Sequence, residues 1–137
     1  MSSRRWNANR GYMKLEVWQN AQELVSLVAE ILNGIELNSF RLRDQILDAA
    51  HSAPSNISEG YCRKSINEYI QFCYVALGSL GELMSRMTSL VGSRILTEEL
   101  FESFDVKHFQ VENKLIALVK SLEAKRDSGT WEQAFRT

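Results

Sequence analysis

Proline and glycine are scarce in this chain: one proline, Pro54, and seven glycines among 137 residues. A fold of many short strands needs more turn punctuation than that, so the composition excludes a β-rich architecture and favours helices. Cysteine is scarce too. Cys62 and Cys73 form no C-x-x-C pair and have no histidine at zinc-finger spacing, which excludes a disulfide framework and a structural zinc site. No apolar run approaches about 18 residues, so no transmembrane helix is expected. The opening MSSRRWNANRGY lacks an apolar core and does not read as a secretory signal, so the expected location is the cytoplasm. Neither sign of charge dominates: 16 basic and 17 acidic residues give a net charge of −1. That argues against a bulk positive field for nucleic acid, while leaving room for a local patch. There is no G-x-S-x-G elbow for a nucleophile and no glycine-rich phosphate loop. Gly78-Ser79-Leu80-Gly81 falls within a helical pattern, with no strand before it and no lysine after it.

What the chain does contain is helical period. Val17, Ala21, Leu24, Val28 and Ile31 step by 4, 3, 4, 3, and Asn33-Gly34 is the pair that ends a helix in the left-handed conformation. Asn38 or Ser39 can cap a second helix whose seam is Leu42, Ile46, Ala49, Ala53 and Ile57, with Gly60 where a terminating glycine belongs. Pro54 interrupts that pattern and predicts a kink, with Ser52, Ser55, Asn56 and Ser58 around it to satisfy freed backbone groups. A third helix opens on the capping box Ser65-Ile66-Asn67-Glu68 and carries Ile66, Tyr69, Cys73, Ala76, Leu80, Leu83, Met87 and Leu90 in unbroken heptad steps, ending at Gly92. A fourth begins at Thr97 and carries Phe104, His108, Val111, Leu115, Leu118 and Leu122. Such helices are about 30 to 42 Å long. Loops of about four to seven residues force neighbours to run antiparallel. The expected fold is therefore all-α, an antiparallel up-down-up-down four-helix bundle over residues 12–126, between a flexible tail at 1–11 and a second tail at 127–137.

The chain has more apolar surface than such a bundle needs. Helix 3 adds Ile70, Phe72, Tyr74, Val75, Leu77 and Met84 outside its seam, and Gly78, Ser79 and Gly81 thin one side for close approach. A wide monomeric core is one explanation and a second subunit is the other; the latter is favoured, with Phe72, Leu77 and Met84 as candidate interface residues.

Two D-x-x-H pairs, Asp48/His51 and Asp105/His108, sit on helices 2 and 4, where carboxylate-bridged di-metal bundles carry E-x-x-H. Aspartate is one methylene short for that role, and His51 lies off its helix seam whereas His108 lies on one. No metal, cofactor or catalytic residue is therefore assigned. Basic residues cluster locally: Arg4, Arg5 and Arg10 with Trp6 and Tyr12 near the N-terminus, Arg41 and Arg43 at the start of helix 2, and Arg63 and Lys64 in the helix 2–3 turn. Arg4, Arg5, Arg10, Arg63 and Lys64 are the candidate nucleic-acid contacts.

Residues 49–60, AAHSAPSNISEG, resemble the signature A-x-S-I-P-x-N-I-A-E-G of a four-helix-bundle family first noted as reading frames inside intervening sequences of bacterial 23S ribosomal RNA genes. The likeness continues through Arg63-Lys64-Ser65, Glu68-Tyr69, Phe72 and residues 76–83, ALGSLGEL, and extends upstream to Leu15. The family's proline-rich helix 1–2 loop is replaced by residues 34–38, GIELN. The resemblance implies a bundle without enzyme activity that assembles as a homo-oligomer, a ring of five. It also implies kinship with the accessory variability determinant of diversity-generating retroelements, a basic ring that works with a reverse transcriptase and RNA. With a net charge of −1, this chain lacks that basicity. Self-association and a protein partner are therefore expected, with RNA or DNA bound weakly at most. The motif residues Pro54, Asn56, Glu59, Gly60, Arg63, Gly78, Ser79 and Glu82 are read as structural. Asn56 and Glu59 are expected to form a polar clasp at the helix 2–3 corner, with Arg63 or a helix 3 backbone donor offsetting the Glu59 carboxylate at a helix C-terminus.

Overall fold

The computed structural model describes residue 5 and residues 7–130. Among these the structure is helical, with no strand: a short 3-10 helix at Ala8–Lys14, then α1 (Glu16–Asn33), α2 (Phe40–Tyr61), α3 (Ile66–Gly92) and α4 (Glu98–Ser128). Four helices are expected from period alone; the described residues form five, because the segment before α1 winds up and packs on α1 and α2.

Three predicted caps are in place. Ser39 Oγ accepts from the Leu42 amide at 3.2 Å, Ser65 Oγ from Glu68 at 3.3 Å and Thr97 Oγ1 from Leu100 at 3.3 Å, each satisfying an amide that the first turn leaves without an intrahelical acceptor. The C-termini differ from expectation. Gly34 ends α1 at φ −95°, outside the left-handed region. There Arg43 donates to the Leu32 carbonyl at 3.0 Å and to Asn33 Oδ1, so a cation from α2 closes the negative end of α1. Gly60 is not the residue that follows α2; it is the next-to-last residue of the helix, which ends at Tyr61. Gly92 is likewise helical, and the left-handed residue after α3 is Arg94, at φ 62°.

Around Arg94 the hydrogen bonds Ile95 N–H to Leu90 O (2.9 Å) and Arg94 N–H to Val91 O (3.0 Å) form a Schellman closure. The same closure ends α4, there with Gly129 at φ 71°. A side chain in the left-handed region costs about 1–2 kcal/mol, part of which glycine returns to the unfolded state as entropy. Arg94→Gly is therefore expected to stabilise the chain by about 0.5–1 kcal/mol, read as a higher midpoint in urea with an unchanged slope.

The four long helices pack in a cycle, α1 on α2, α2 on α3, α3 on α4 and α4 on α1, and the diagonals stay apart. Side-chain pairs show the sense of three of these contacts. Glu16 meets Lys114 while Glu23 meets Lys107. Gln45 meets Arg86 while Ser52 meets Ser79. The Leu80 carbonyl meets His108 while Tyr74 meets Glu123. In each case later residues of one helix face earlier residues of the other. The predicted seams line the core: Val17 to Ile31 on α1, Leu42 to Ile57 on α2, Ile66 to Leu90 on α3 and Phe104 to Leu122 on α4, with Leu42, Ile66 and Leu118 half-buried and the others buried. On α2 the buried residues other than Ile46 and Ile57 are small, Ala49, Ala50, Ala53, Pro54 and Gly60, and they let α3 approach closely. Cys73 is fully buried, and burial pushes its thiol up to about 12, so it serves as packing. Among the described residues no helix is long and apolar enough to cross a membrane.

Candidate functional site

The structure divides the expected clasp into two places. Asn56 faces α3. Its amide donates to the Ser52 carbonyl at 2.8 Å and to Ser52 Oγ at 3.0 Å; Ser52 and Ser79 hydroxyls lie 2.6 Å apart, and Ser79 donates to the Val75 carbonyl at 3.1 Å. A hydroxyl has one proton, and that of Ser79 is committed to Val75. Ser52 must therefore be the donor to Ser79 and the acceptor from Asn56. The result is a directed relay from Asn56 through Ser52 and Ser79 into a backbone carbonyl, with each step satisfied. Asn56 and Ser79 belong to the two halves of the recognised motif. Their joining through Ser52 is not readable from spacing, because it depends on the α2–α3 register.

Glu59 has a separate partner, Arg63. Arg63 Nη2 lies 3.5 Å from Glu59, its Nη1 lies 3.9 Å from Glu68, and its guanidinium stacks over Phe72 at 5.0 Å. Glu59 has the compensating partner expected of it, but the pair is about half exposed and contributes little. The tight element at this corner is Gly60, which is buried against Tyr69 and Phe72. Glu82 makes an exposed i,i+4 pair with Arg86. Pro54 is buried within a continuous α2.

A groove that the sequence reading missed lies beside this corner. The 3-10 helix sits against the end of α2, where Cys62 Sγ donates to the Asn9 carbonyl at 3.3 Å and Gly11 abuts the Tyr61 ring. Tyr12 stands edge-on to Trp18 and to Tyr61, and Tyr61 to Tyr69. Tyr12, Ser55, Ser58, Glu59 and Cys62 line an open cavity of about 260 Å³. The signal available was the set of aromatics Tyr12, Trp18, Tyr61 and Tyr69, which pack together although far apart in sequence.

Of the candidate nucleic-acid contacts, Arg4 lies outside the described residues. Arg10 donates to the Arg5 carbonyl at 2.8 Å. Because the 3-10 helix packs on the end of α2, Arg10 comes to the same end of the molecule as Arg63 and Lys64. Arg63 is engaged with two carboxylates there. The candidate interface residues Phe72, Leu77 and Met84 are half-buried in their own chain, Phe72 beneath Arg63 and the other two against the core. The surplus apolar surface of α3 lies instead along exposed Tyr74, Val75, Gly78 and Gly81. Tyr74 donates to Glu123 at 3.1 Å, and that hydrogen bond to a carboxylate raises the phenol above its ordinary value.

The two D-x-x-H pairs do not meet. His51 is exposed on α2, and His108 is buried on α4 with Nε2 2.7 Å from the Leu80 carbonyl. Among the described residues no three metal-ligating side chains come together.

A profile of the 23S rRNA-intervening sequence protein family matches residues 13–117. The chain belongs to this family. The match runs from the last turn of the 3-10 helix to the middle of α4, so it includes the relay and the Arg63 corner. A crystal structure of a protein of unknown function from the S23 ribosomal protein family of Bacteroides thetaiotaomicron is similar. It is 23% identical, covers 83% of this chain and 99% of that one, and has a TM-score of 0.63, a likeness of fold. No curated protein matches. Within the family match, the motif residues Asn56, Gly60 and Ser79 are spent on joining α2 to α3.

Proposed function

We propose that this family member is a non-catalytic, self-associating scaffold. Its four long helices form an antiparallel up-down-up-down bundle, and its subunits join through the outer face of α3 into a ring, five being the number that the family resemblance suggests. One observation carries the reading. On the exposed side of α3, a Cβ added at Gly78 or Gly81 would meet no atom within 4 Å, and Tyr74 and Val75 beside them are 46% and 45% exposed. Two glycines in mid-helix cost the isolated chain about 1 kcal/mol each relative to alanine. No described residue uses the room they make. A neighbouring subunit pressed against that face would. This moves the interface a quarter-turn from Phe72, Leu77 and Met84, of which Leu77 and Met84 border it.

The test is the pair of substitutions Gly78→Ala and Gly81→Ala. In the dissociated chain they are expected to raise stability by about 0.5–1 kcal/mol each. In the assembly they fill the space meant for a neighbour and lower the sedimenting mass. A wild-type chain that sediments as a 15.7 kDa monomer at micromolar concentration contradicts the proposal. A nucleic-acid-associated role is the second reading, supported by Arg10, Arg63 and Lys64 sharing one end. A ring would multiply that patch, and binding would be sequence-independent and steeply salt-sensitive.

A further inference from the structure

Helix α4 carries two seams on opposite sides. The inner one is the core row from Phe104 to Leu122. The outer one is Glu102, Val106, Phe109, Asn113, Ile116 and Lys120, which step by 4, 3, 4, 3, 4, and all six are exposed. Val106 is 67% exposed, Phe109 61% and Ile116 37%. This is the spacing of a coiled-coil seam, on a face that no other helix among the described residues covers.

The row is also its own complement. Read backwards, it places Lys120 where Glu102 stands, Ile116 where Val106 stands and Asn113 where Phe109 stands. Charges of opposite sign occupy its two ends, and apolar side chains occupy the middle. Neither Glu102 nor Lys120 forms an ion pair with another described residue. The charged groups of α4 that bond to other helices are different ones: Lys107 and Lys114 reach α1, and Glu123 and Arg126 reach α3. Glu98, Glu99 and Asp105 add acidic charge toward the start of the helix, whereas its last turns are mixed, with Glu123 and Asp127 beside Lys125 and Arg126, so the opposite charge of the two ends rests on the seam residues themselves.

We infer that a second copy of this chain docks antiparallel along the outer seam of α4, about a two-fold axis passing near residue 111. Across that axis Glu102 of each copy faces Lys120 of the other, and Val106 faces Ile116. Phe109 packs beside Asn113 at the centre. Each contact occurs twice, as an isologous interface requires. A foreign helix would need the same reversed order of charge and apolar residues, which the second copy has by identity. The contact uses a different helix face from the α3 surface proposed above and does not depend on it. A six-position seam is short against the roughly 800 Å² per partner of a standard interface, so the association should be concentration-dependent.

Charge reversal at exposed sites tests this without threatening the fold. E102K and K120E alone each set like charges opposite one another twice, and each is expected to weaken self-association about tenfold in sedimentation equilibrium. An equimolar mixture of the two variants should recover it, because a chain with two lysines then faces a chain with two glutamates. The double variant E102K/K120E should recover it alone. Single variants that associate like wild type, or a mixture no tighter than its parts, would overturn the inference. Repeating the series on a Gly78→Ala/Gly81→Ala chain separates the two surfaces. The α4 contact should persist there when the α3 contact is lost. If the glycine substitutions abolish all association, the α4 contact is absent whatever the fate of the α3 face.

Discussion

Gly60→Ala is expected to destabilise the chain by about 1–3 kcal/mol, whereas the same change at a helix-interior glycine ordinarily stabilises by about 0.5–1 kcal/mol. The reversal comes from what surrounds the position. A Cβ there would lie 2.9 Å from Phe72 Cβ, 3.0 Å from Tyr69 Cδ1 and 3.2 Å from the Tyr69 carbonyl oxygen. Two of those atoms are fixed to the backbone of α3 and move only if that helix moves. The third belongs to a ring that is 2% exposed and packed edge-on against Tyr61 at 6.0 Å. Relief therefore requires α3 to back away from α2 beside Gly60. That would loosen the tyrosine cluster and lift Phe72 from beneath Arg63. Urea unfolding of Gly60→Ala beside Gly78→Ala should give shifts of opposite sign. Shifts of the same sign would show that glycine at position 60 is not there for close approach.

That contrast also shows what was legible in the sequence. The core seams were, because heptad spacing depends on the chain alone: every residue from Tyr69 to Leu90 in the predicted α3 seam is buried. The N-caps were, because a serine or threonine and the amide three residues on form a local unit. The glycines were not. Gly34, Gly60 and Gly92 all read as helix terminators, yet none has a positive φ, and the left-handed turn after α3 falls on Arg94. Hydrogen bonding of the whole turn decides which residue goes left-handed, and the loop that leads Ile95 and Leu96 back to the Leu90 carbonyl overrode local preference. Gly60 is set by distance to another helix, which no local pattern encodes. The 3-10 helix at Ala8–Lys14 was missed for a related reason. It has no buried residue of its own and is held by contacts of Gly11, Tyr12 and Asn9 with α2. The candidate site was half legible. Spacing put Asn56 and Glu59 together in one clasp, whereas Asn56 bonds to Ser52 and Glu59 pairs with Arg63.

That separation gives Asn56 and Glu59 different expected effects. Glu59→Ala removes one side of a half-exposed ion pair, and Arg63 keeps Glu68 and the Phe72 ring, so the loss should stay below about 1 kcal/mol. Asn56→Ala and Ser79→Ala break a relay that is partly withdrawn from water, and each should cost about 1–2 kcal/mol. Their mechanisms differ. Without Ser79, the Ser52 hydroxyl loses its acceptor at 2.6 Å in the α2–α3 seam. Without Asn56, Ser52 loses its donor at 3.0 Å and the Ser52 carbonyl loses a second hydrogen bond at 2.8 Å. Because both changes act on the same Ser52 hydroxyl, they should not add. The double variant should cost less than the sum of the single losses, by at least about 0.5 kcal/mol. Urea unfolding of wild type, both single variants and the double variant closes that cycle, with Glu59→Ala as the control outside it. Strict additivity, or a larger loss from Glu59→Ala than from Asn56→Ala, would mean that the Arg63 corner and not the Ser52–Ser79 seam is the polar joint between α2 and α3.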